Sequence, residues 1–286
     1  MSSHEWKVVY QTIVRMNRTI PQVGRKCQFH DTLIVAMYVW SVAHDRPRCW
    51  AADRENYHGP FRPRRLPSRS QFCRRLNSPR CVALLEALWR ALAEGDDGPT
   101  FNLMDGRALP VGPYSQDVDA GRGFFGGHFA KGYKLHAIAR MDGKIAAWRV
   151  TSLNVSEKTV ADELIAEAQP KGWLLADGNY DAGRLYDLAC THGAVMLTPL
   201  PDNVGGGHRP QSRMRLLAAR LWKIKGTKEL YGKRTTIERL FSQQACYGGG
   251  LGPLPTWVRG LDRVTRWVGT KLMFYHVRLM FRKSAA

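Results

Sequence analysis

The 286-residue chain carries 43 Lys and Arg against 24 Asp and Glu, a formal net charge of +19, with 44% apolar residues and nine Trp. That apolar content excludes wholesale disorder, the length suffices for two domains, and the longest apolar run, 33–40, is too short to span a bilayer. Six cysteines without a C-x-x-C pair exclude an ordinary zinc site and, with no signal-peptide pattern at the start, indicate reduced thiols in a cytosolic protein.

Residues 1–98 hold 16 Lys and Arg against 9 Asp and Glu. The stretch 27–45 predicts a largely buried helix and 48–57 a second. Prolines then break the pattern over 59–67, and Ser68 or Ser70 caps a short third helix. Between 46 and 80 there are ten arginines and two acids. Three helices, the last short and arginine-rich, suit a helix-turn-helix-like unit in which Arg69, Arg74 and Arg75 meet DNA. A helical packing domain with a solvated basic face has the same pattern. "EGDDGPT" (94–100) marks the boundary, giving domains 1–98 and 99–286.

Residues 99–206 are nearly neutral, with 10 basic and 12 acidic side chains. A strand is expected over 100–111, carrying Asp105 followed by Gly106. Asp117 and Asp119 fall in a polar loop and are expected to be solvated. The segment 121–132, with five glycines and no P-loop spacing, reads as a mobile loop. Residues 133–152 alternate on both sides of Asp142-Gly143, a hairpin signal that makes Asp142 a turn residue. His136 fits a structural imidazole on that strand, with a place near the site as the alternative. A capped helix over 154–170 ends before a proline. The buried strand 173–176 then stops on Asp177-Gly178, a helix comes next with Leu185, Leu188 and Ala189 on its apolar side, and 194–200 is a last strand. The order fits an α/β fold, a mixed sheet flanked by helices. A carboxylate at the C-terminal end of a buried strand either caps the adjoining turn or helix or belongs to a ligand site. If the strands of Asp105 and Asp177 are neighbours, two acids 72 positions apart share one sheet edge.

Residues 207–286 hold 17 basic side chains and 3 acids, so two basic regions flank a neutral middle, and nucleic acid is the indicated partner. The stretch 202–215 reads as a flexible basic loop. In "LYGKRTTIERLFSQQ" (230–244), Ile237, Leu240 and Phe241 form an apolar stripe. On one helix, Tyr231, Arg234 and Glu238 would share a neighbouring face at i, i+3 and i+7, although a surface helix with one solvated glutamate reads the same way. Residues 261–283 predict an amphipathic basic helix packed on the sheet with its arginines outward.

The pieces "LPSRSQFCRRL", "NLMDGR", "GYKLH", "ADGNYDA" and "YGKRTTIERLF" together resemble bacterial insertion-sequence transposases with an Asp-Asp-Glu catalytic domain of the ribonuclease-H-like fold. The closest likeness is to the compact branch of the Tyr-Arg-Glu-Lys signature group. The resemblance implies that Asp105, Asp177 and Glu238 are the catalytic metal ligands, with Asp105 bridging two Mg²⁺ ions for which Mn²⁺ can substitute. Converging carboxylates need such cations: two about 4 Å apart repel by about 4 kcal/mol at an effective dielectric near 20, and hard oxygen ligands suit Mg²⁺. It also implies that Tyr231 and Arg234 contact DNA near the cleaved phosphate. The expected activity is cleavage at inverted-repeat ends and joining of the freed 3′-hydroxyl to target DNA. The expected partners are double-stranded DNA and a second copy of the chain on that DNA, in the bacterial cytoplasm at the nucleoid. Two departures stand out. Ala245 occupies the place of the family's lysine, for which Arg239 is a candidate substitute. The 61 positions from Asp177 to Glu238 leave room only for a short insertion at about 201–230. The rival readings are a catalytically inactive, transposase-derived DNA-binding protein and a ribonuclease-H-like nuclease that is not a transposase.

Overall fold

The computed structural model describes residues 1–21, 27–94, 101–199, 212–243 and 250–283. The chain divides into two units. One comprises Met1–Glu94, Gln244–Val258 and Arg266–Ala286, the other Gly95–Gln243 and Arg259–Thr265. Residues from Arg266 onward group with the helical unit.

In the helical unit, α1 (Ser3–Thr19) starts with a reciprocal cap: Ser2 Oγ accepts the Glu5 N–H and Glu5 Oε2 accepts the Ser2 N–H. The second helix, α2 (Asp31–Ala43), is buried continuously from Ile34 to Val42, as suits a helix apolar all round. A third, α3 (Arg69–Leu76), is capped by Ser68 and Gln71, and α4 (Pro79–Ala93) by Ser78 with proline at its first position. The three-helix reading omits α1 and α4. It also overstates 48–57, which forms two 3₁₀ turns, Arg48–Ala52 and Arg54–Asn56. There the Asp53 side chain takes the Glu55 N–H and interrupts any longer helix. Trp6 packs against Trp40 and Phe61 with ring centroids 4.9 and 4.8 Å away.

The last helix, α10 (Leu261–Lys283), corrects the expectation of an amphipathic helix on the sheet. Every residue from Trp267 to Val277 is buried. Within the helical unit, Arg266 donates to Asn77 Oδ1 at 2.7 Å, Lys271 pairs with Asp45, and Arg278 pairs with Glu5 at 3.3 Å. A helix buried on all sides belongs inside a bundle.

The second unit is built on a six-stranded mixed sheet with the order β2-β3-β1-β5-β6, and β4 also pairs with β3. The strands are β1 (Phe101–Pro110), β2 (Gly121–Phe125), β3 (His128–Arg140), β4 (Ile145–Ser152), β5 (Gly172–Ala176) and β6 (Ala194–Leu197). β1 runs antiparallel to β3 and parallel to β5, and β5 runs parallel to β6. The accompanying helices are α5 (Glu157–Ala168), α6 (Gly183–Thr191), α7 (Arg213–Leu221), α8 (Thr227–Gly232) and α9 (Thr235–Gln243).

Three loop expectations change. The glycine-rich 121–132 is the β2–β3 hairpin: Gly126 and Gly127 both have positive φ, 59° and 84°, as a tight two-residue turn requires. Its outward face carries Phe124 opposite Phe129, 66% and 77% exposed. Asp117 and Asp119 are structural acceptors. Asp117 Oδ2 takes the Tyr133 hydroxyl at 2.6 Å and the Gly260 N–H at 3.0 Å, and Asp119 takes the Leu261 N–H at 2.8 Å. Of the basic stretch 202–215, residues up to 211 lie outside the described residues, and Arg213 to Arg215 open α7. Part of the boundary loop, 95–100, also lies outside them. Asp142 is a turn residue, accepting the Lys144 N–H at 2.9 Å.

Candidate active site

The parallel register of β1 and β5 pairs Met104 with Ala176, so the next residue of each chain segment is an aspartate, Asp105 and Asp177, on adjacent strands. Asp105 Oδ1 accepts the Gly106 N–H at 2.8 Å. Asp177 caps the short turn Gly178–Tyr180, taking the Asn179 N–H at 2.9 Å and its side-chain amide at 3.3 Å. The capping and the site readings of Asp177 therefore hold together.

Glu238 reaches this region on α9, whose stripe Ile237, Leu240 and Phe241 is buried as its spacing predicts. Arg107 of β1 donates to the Phe241 carbonyl, and Lys233 Nζ stands 4.1 Å over the Phe101 ring, so α9 is fastened along β1. The single helix expected over 230–244 is instead two. After Gly232 the chain tightens into i→i−3 bonds, Arg234 N–H to Tyr231 and Ile237 N–H to Arg234, before α9 proceeds. This break leaves Tyr231 on α8. Its hydroxyl donates to the Ala176 carbonyl at 2.9 Å, and its ring meets Trp222 at 5.0 Å. Tyr231 thus clasps the strand end that presents Asp177. Arg234, at the break, donates to Asp105 Oδ2 at 3.4 Å and to Glu238 Oε1 at 3.1 Å. One guanidinium joins the first acid to the third.

The electrostatics are those of crowded carboxylates. Burial pushes Asp105 up to about 6; the Gly106 N–H and Arg234 oppose that rise, while Asp177 and Glu157 add to it. Asp177 is also raised, by burial and then by Glu157. Glu157 is an acid that sequence reasoning missed: it opens α5, a helix that carries no chemical motif, and only the tertiary fold brings it to the sheet. Lys134 of the "GYKLH" strand pairs with it at 2.9 Å. His136 is the structural imidazole expected, wholly buried with Nε2 2.9 Å from Thr151 Oγ1, and burial holds it down near 4.

The donor set suits a hard divalent cation, since it is all carboxylate oxygen, and a cation would offset the burial and, after it, the neighbouring acids that raise Asp105. Among the described residues, however, no three metal-capable side chains stand close enough to hold an ion together. Asp105 and Asp177 follow register partners on neighbouring strands, and Arg234 pairs with Glu238.

The DNA candidates divide. Arg69 and Arg74 are exposed on α3, and Arg239 is exposed on α9. Arg75 is not on the open surface: its guanidinium is bound by Asp31, by the Phe29 carbonyl at 3.3 Å and by Cys27 Sγ at 2.7 Å. Ala245 lies outside the described residues.

A mixed sheet of this order, with aspartates side by side on its two central parallel strands, defines a ribonuclease-H-like catalytic domain. Residues 96–249, more than half of the chain, match the transposase DDE domain family, and the chain belongs to that family. No curated protein and no solved structure matches it. Transposases of this kind act on DNA and generally use divalent metals. No described helix is long and apolar enough to cross a membrane.

Proposed function

We propose that this chain is an insertion-sequence transposase that binds inverted-repeat ends, cuts the DNA there and joins the freed 3′-hydroxyl to target DNA. The observation that carries this reading is the Asp105–Asp177 pair in register on adjacent strands, linked through Arg234 to Glu238. Asp105 and Asp177 would hold the first Mg²⁺, or Mn²⁺ in its place, and Asp105 and Glu238 a second. Such ions, when bound, activate the attacking oxygen and stabilise the leaving one during in-line phosphoryl displacement. The protein's own part is to aim the acids. Tyr231 fixes the end of β5, Arg107 fixes α9, and Arg234 exchanges its two carboxylates for a phosphate oxygen once DNA is in place. Arg239 supplies a further phosphate contact in the place of the family's lysine. Arg69 and Arg74 bind the element's end, and two copies assemble on the DNA.

A second reading, DNA binding without cleavage, draws on one observation: Arg234 pairs with both Asp105 and Glu238 and so competes with a cation for the same two carboxylates. A cleavage assay with Mg²⁺ separates the readings, using duplexes that carry the inverted repeats bracketing the reading frame and random duplexes. Cutting and joining confined to repeat ends supports the transposase. Cutting of both duplexes indicates a general nuclease, and binding without cutting indicates an inactive derivative.

A further inference from the structure

The three-acid reading leaves one buried corner of the catalytic unit unexplained. Glu157 Oε1 accepts the Lys134 ammonium at 2.9 Å, but Glu157 Oε2 is buried with no hydrogen-bond partner. The hydroxyl of Tyr180, a wholly buried side chain in the turn directly after Asp177, also has none. Orphaned polar atoms are costly, about 1–3 kcal/mol each, so two in one neighbourhood call for an occupant. Both stand in the field of the catalytic pair. The charges of Glu157, Asp105 and Asp177 all bear on the Tyr180 hydroxyl, and that of Glu157 bears on both aspartates.

The backbone is shaped to admit Glu157. A Cβ at position 106, directly after Asp105, would stand 3.0 Å from Glu157 Oε1 and 3.2 Å from Lys134 Cδ, so the ion pair lies close against β1 beside Asp105 and a side chain there would require it to give by a few tenths of an ångström. A structural salt bridge explains Lys134 and Oε1. It does not explain the free Oε2, the bare hydroxyl, or an extra negative charge brought up to two aspartates that already repel each other.

We propose that Glu157 and Tyr180 form an additional wall of the metal centre, with Glu157 Oε2 and the Tyr180 hydroxyl oxygen both accepting from water carried by the cation on Asp105 and Asp177. Mg²⁺ keeps several of its waters, so a carboxylate too distant to ligate directly acts through one of them. Lys134 holds Glu157 in the orientation that leaves Oε2 free. Both are positioning residues, and the proposal rests on the metal-dependent reading of the aspartate pair.

The test is Mn²⁺ titration of the full chain by calorimetry, with metal-free thermal midpoints measured in parallel. Glu157→Gln keeps an acceptor for Lys134 and should weaken Mn²⁺ binding by about 10–100-fold, the range seen when groups that orient a metal's ligands are removed. Tyr180→Phe deletes a single neutral acceptor and should weaken binding by a smaller factor with little change in midpoint. If Glu157→Gln lowers the midpoint yet binds Mn²⁺ like wild type, Glu157 is only the partner of Lys134 and the proposal is overturned. Unchanged affinity in Tyr180→Phe likewise removes the hydroxyl from the shell. Asp105→Asn separates this from the underlying reading: Mn²⁺ binding retained there overturns the metal site itself. Binding lost in Asp105→Asn but kept in Glu157→Gln overturns the added wall alone.

Discussion

Asp31 in the helical unit and Asp105 in the catalytic unit are both largely buried carboxylates, and they are treated in opposite ways. Asp31 is surrounded by compensation: Arg75 on one oxygen, Arg80 at 2.6 Å on the other, and Cys81 Sγ at 3.3 Å. Asp105 has a share of one guanidinium at 3.4 Å, a neighbouring aspartate, and the charge of Glu157 close by. A buried charge that is fully paired holds a fold together. One that is left crowded is held ready for something the free protein does not supply. The contrast separates architecture from chemistry within one chain.

The strongest way to break this contrast is to neutralise both sides of it. Asp105→Asn, Asp177→Asn and Glu238→Gln should each cut DNA cleavage to below about a thousandth of wild type, as losing one member of a concerted site does, with DNA binding nearly intact. Activity near wild type in any one of them removes that residue from the site. Asp31→Ala should act in the opposite place. It strands Arg75 and Arg80 in partly buried positions and should lower unfolding stability by about 3 kcal/mol, measured by denaturant titration. A neutral result would mean that the helical unit does not depend on this cluster.

The pH dependence sharpens the comparison. Unfolded, Asp105 ionises near the ordinary 3.8, whereas in the fold it holds its proton to about 6. The unfolded state therefore releases that proton first, and wild-type stability falls as pH rises through this interval. The cost is absent below the ordinary value and complete above about 6. Metal-free Asp105→Asn should thus gain on wild type between pH 4 and pH 7, by at most about 3 kcal/mol. A gap between the two thermal midpoints that stays constant over that range would show that burial and the neighbouring acids do not raise Asp105.

Smaller effects are expected at the basic surface. Arg74→Ala should weaken binding to cognate ends by about 1–3 kcal/mol and random duplex by less, if α3 reads bases. Arg75→Ala should chiefly lower stability, because its partner is Asp31. Equal losses on both DNAs for Arg74→Ala would make α3 an electrostatic clamp. The smallest effect is at Arg282, exposed near the end of α10, where alanine should reduce the salt slope of binding by about 0.9 if one phosphate contact is lost.

Much of the catalytic unit was legible in its local patterns. The Asp142-Gly143 hairpin, the buried strand stopping at Asp177 and the apolar stripe of α9 depend on turn chemistry and on side-chain period, which neighbouring residues determine among themselves. The β2–β3 hairpin was missed because five glycines look like a loop until a partner strand is present; Gly126 and Gly127 are the turn itself. Helix α10 was assigned to the wrong neighbour because amphipathicity does not say which unit a helix will enter. Ten consecutive buried positions after Trp267 are a property of the bundle around it.

The sequence by itself determined the kind of chemistry: acids of hard-ligand type at strand ends and a helix, flanked by two basic regions on one chain. Only the tertiary structure decided which charges meet. Asp105 and Asp177 become neighbours through the β1–β5 register, Arg234 spans two acids because the helix breaks after Gly232, and Glu157 packs close beside Gly106, the residue after Asp105. Register, breaks and close approach arise between segments distant in the chain, and the strength of a charge depends on the burial that results. No local pattern encodes that burial.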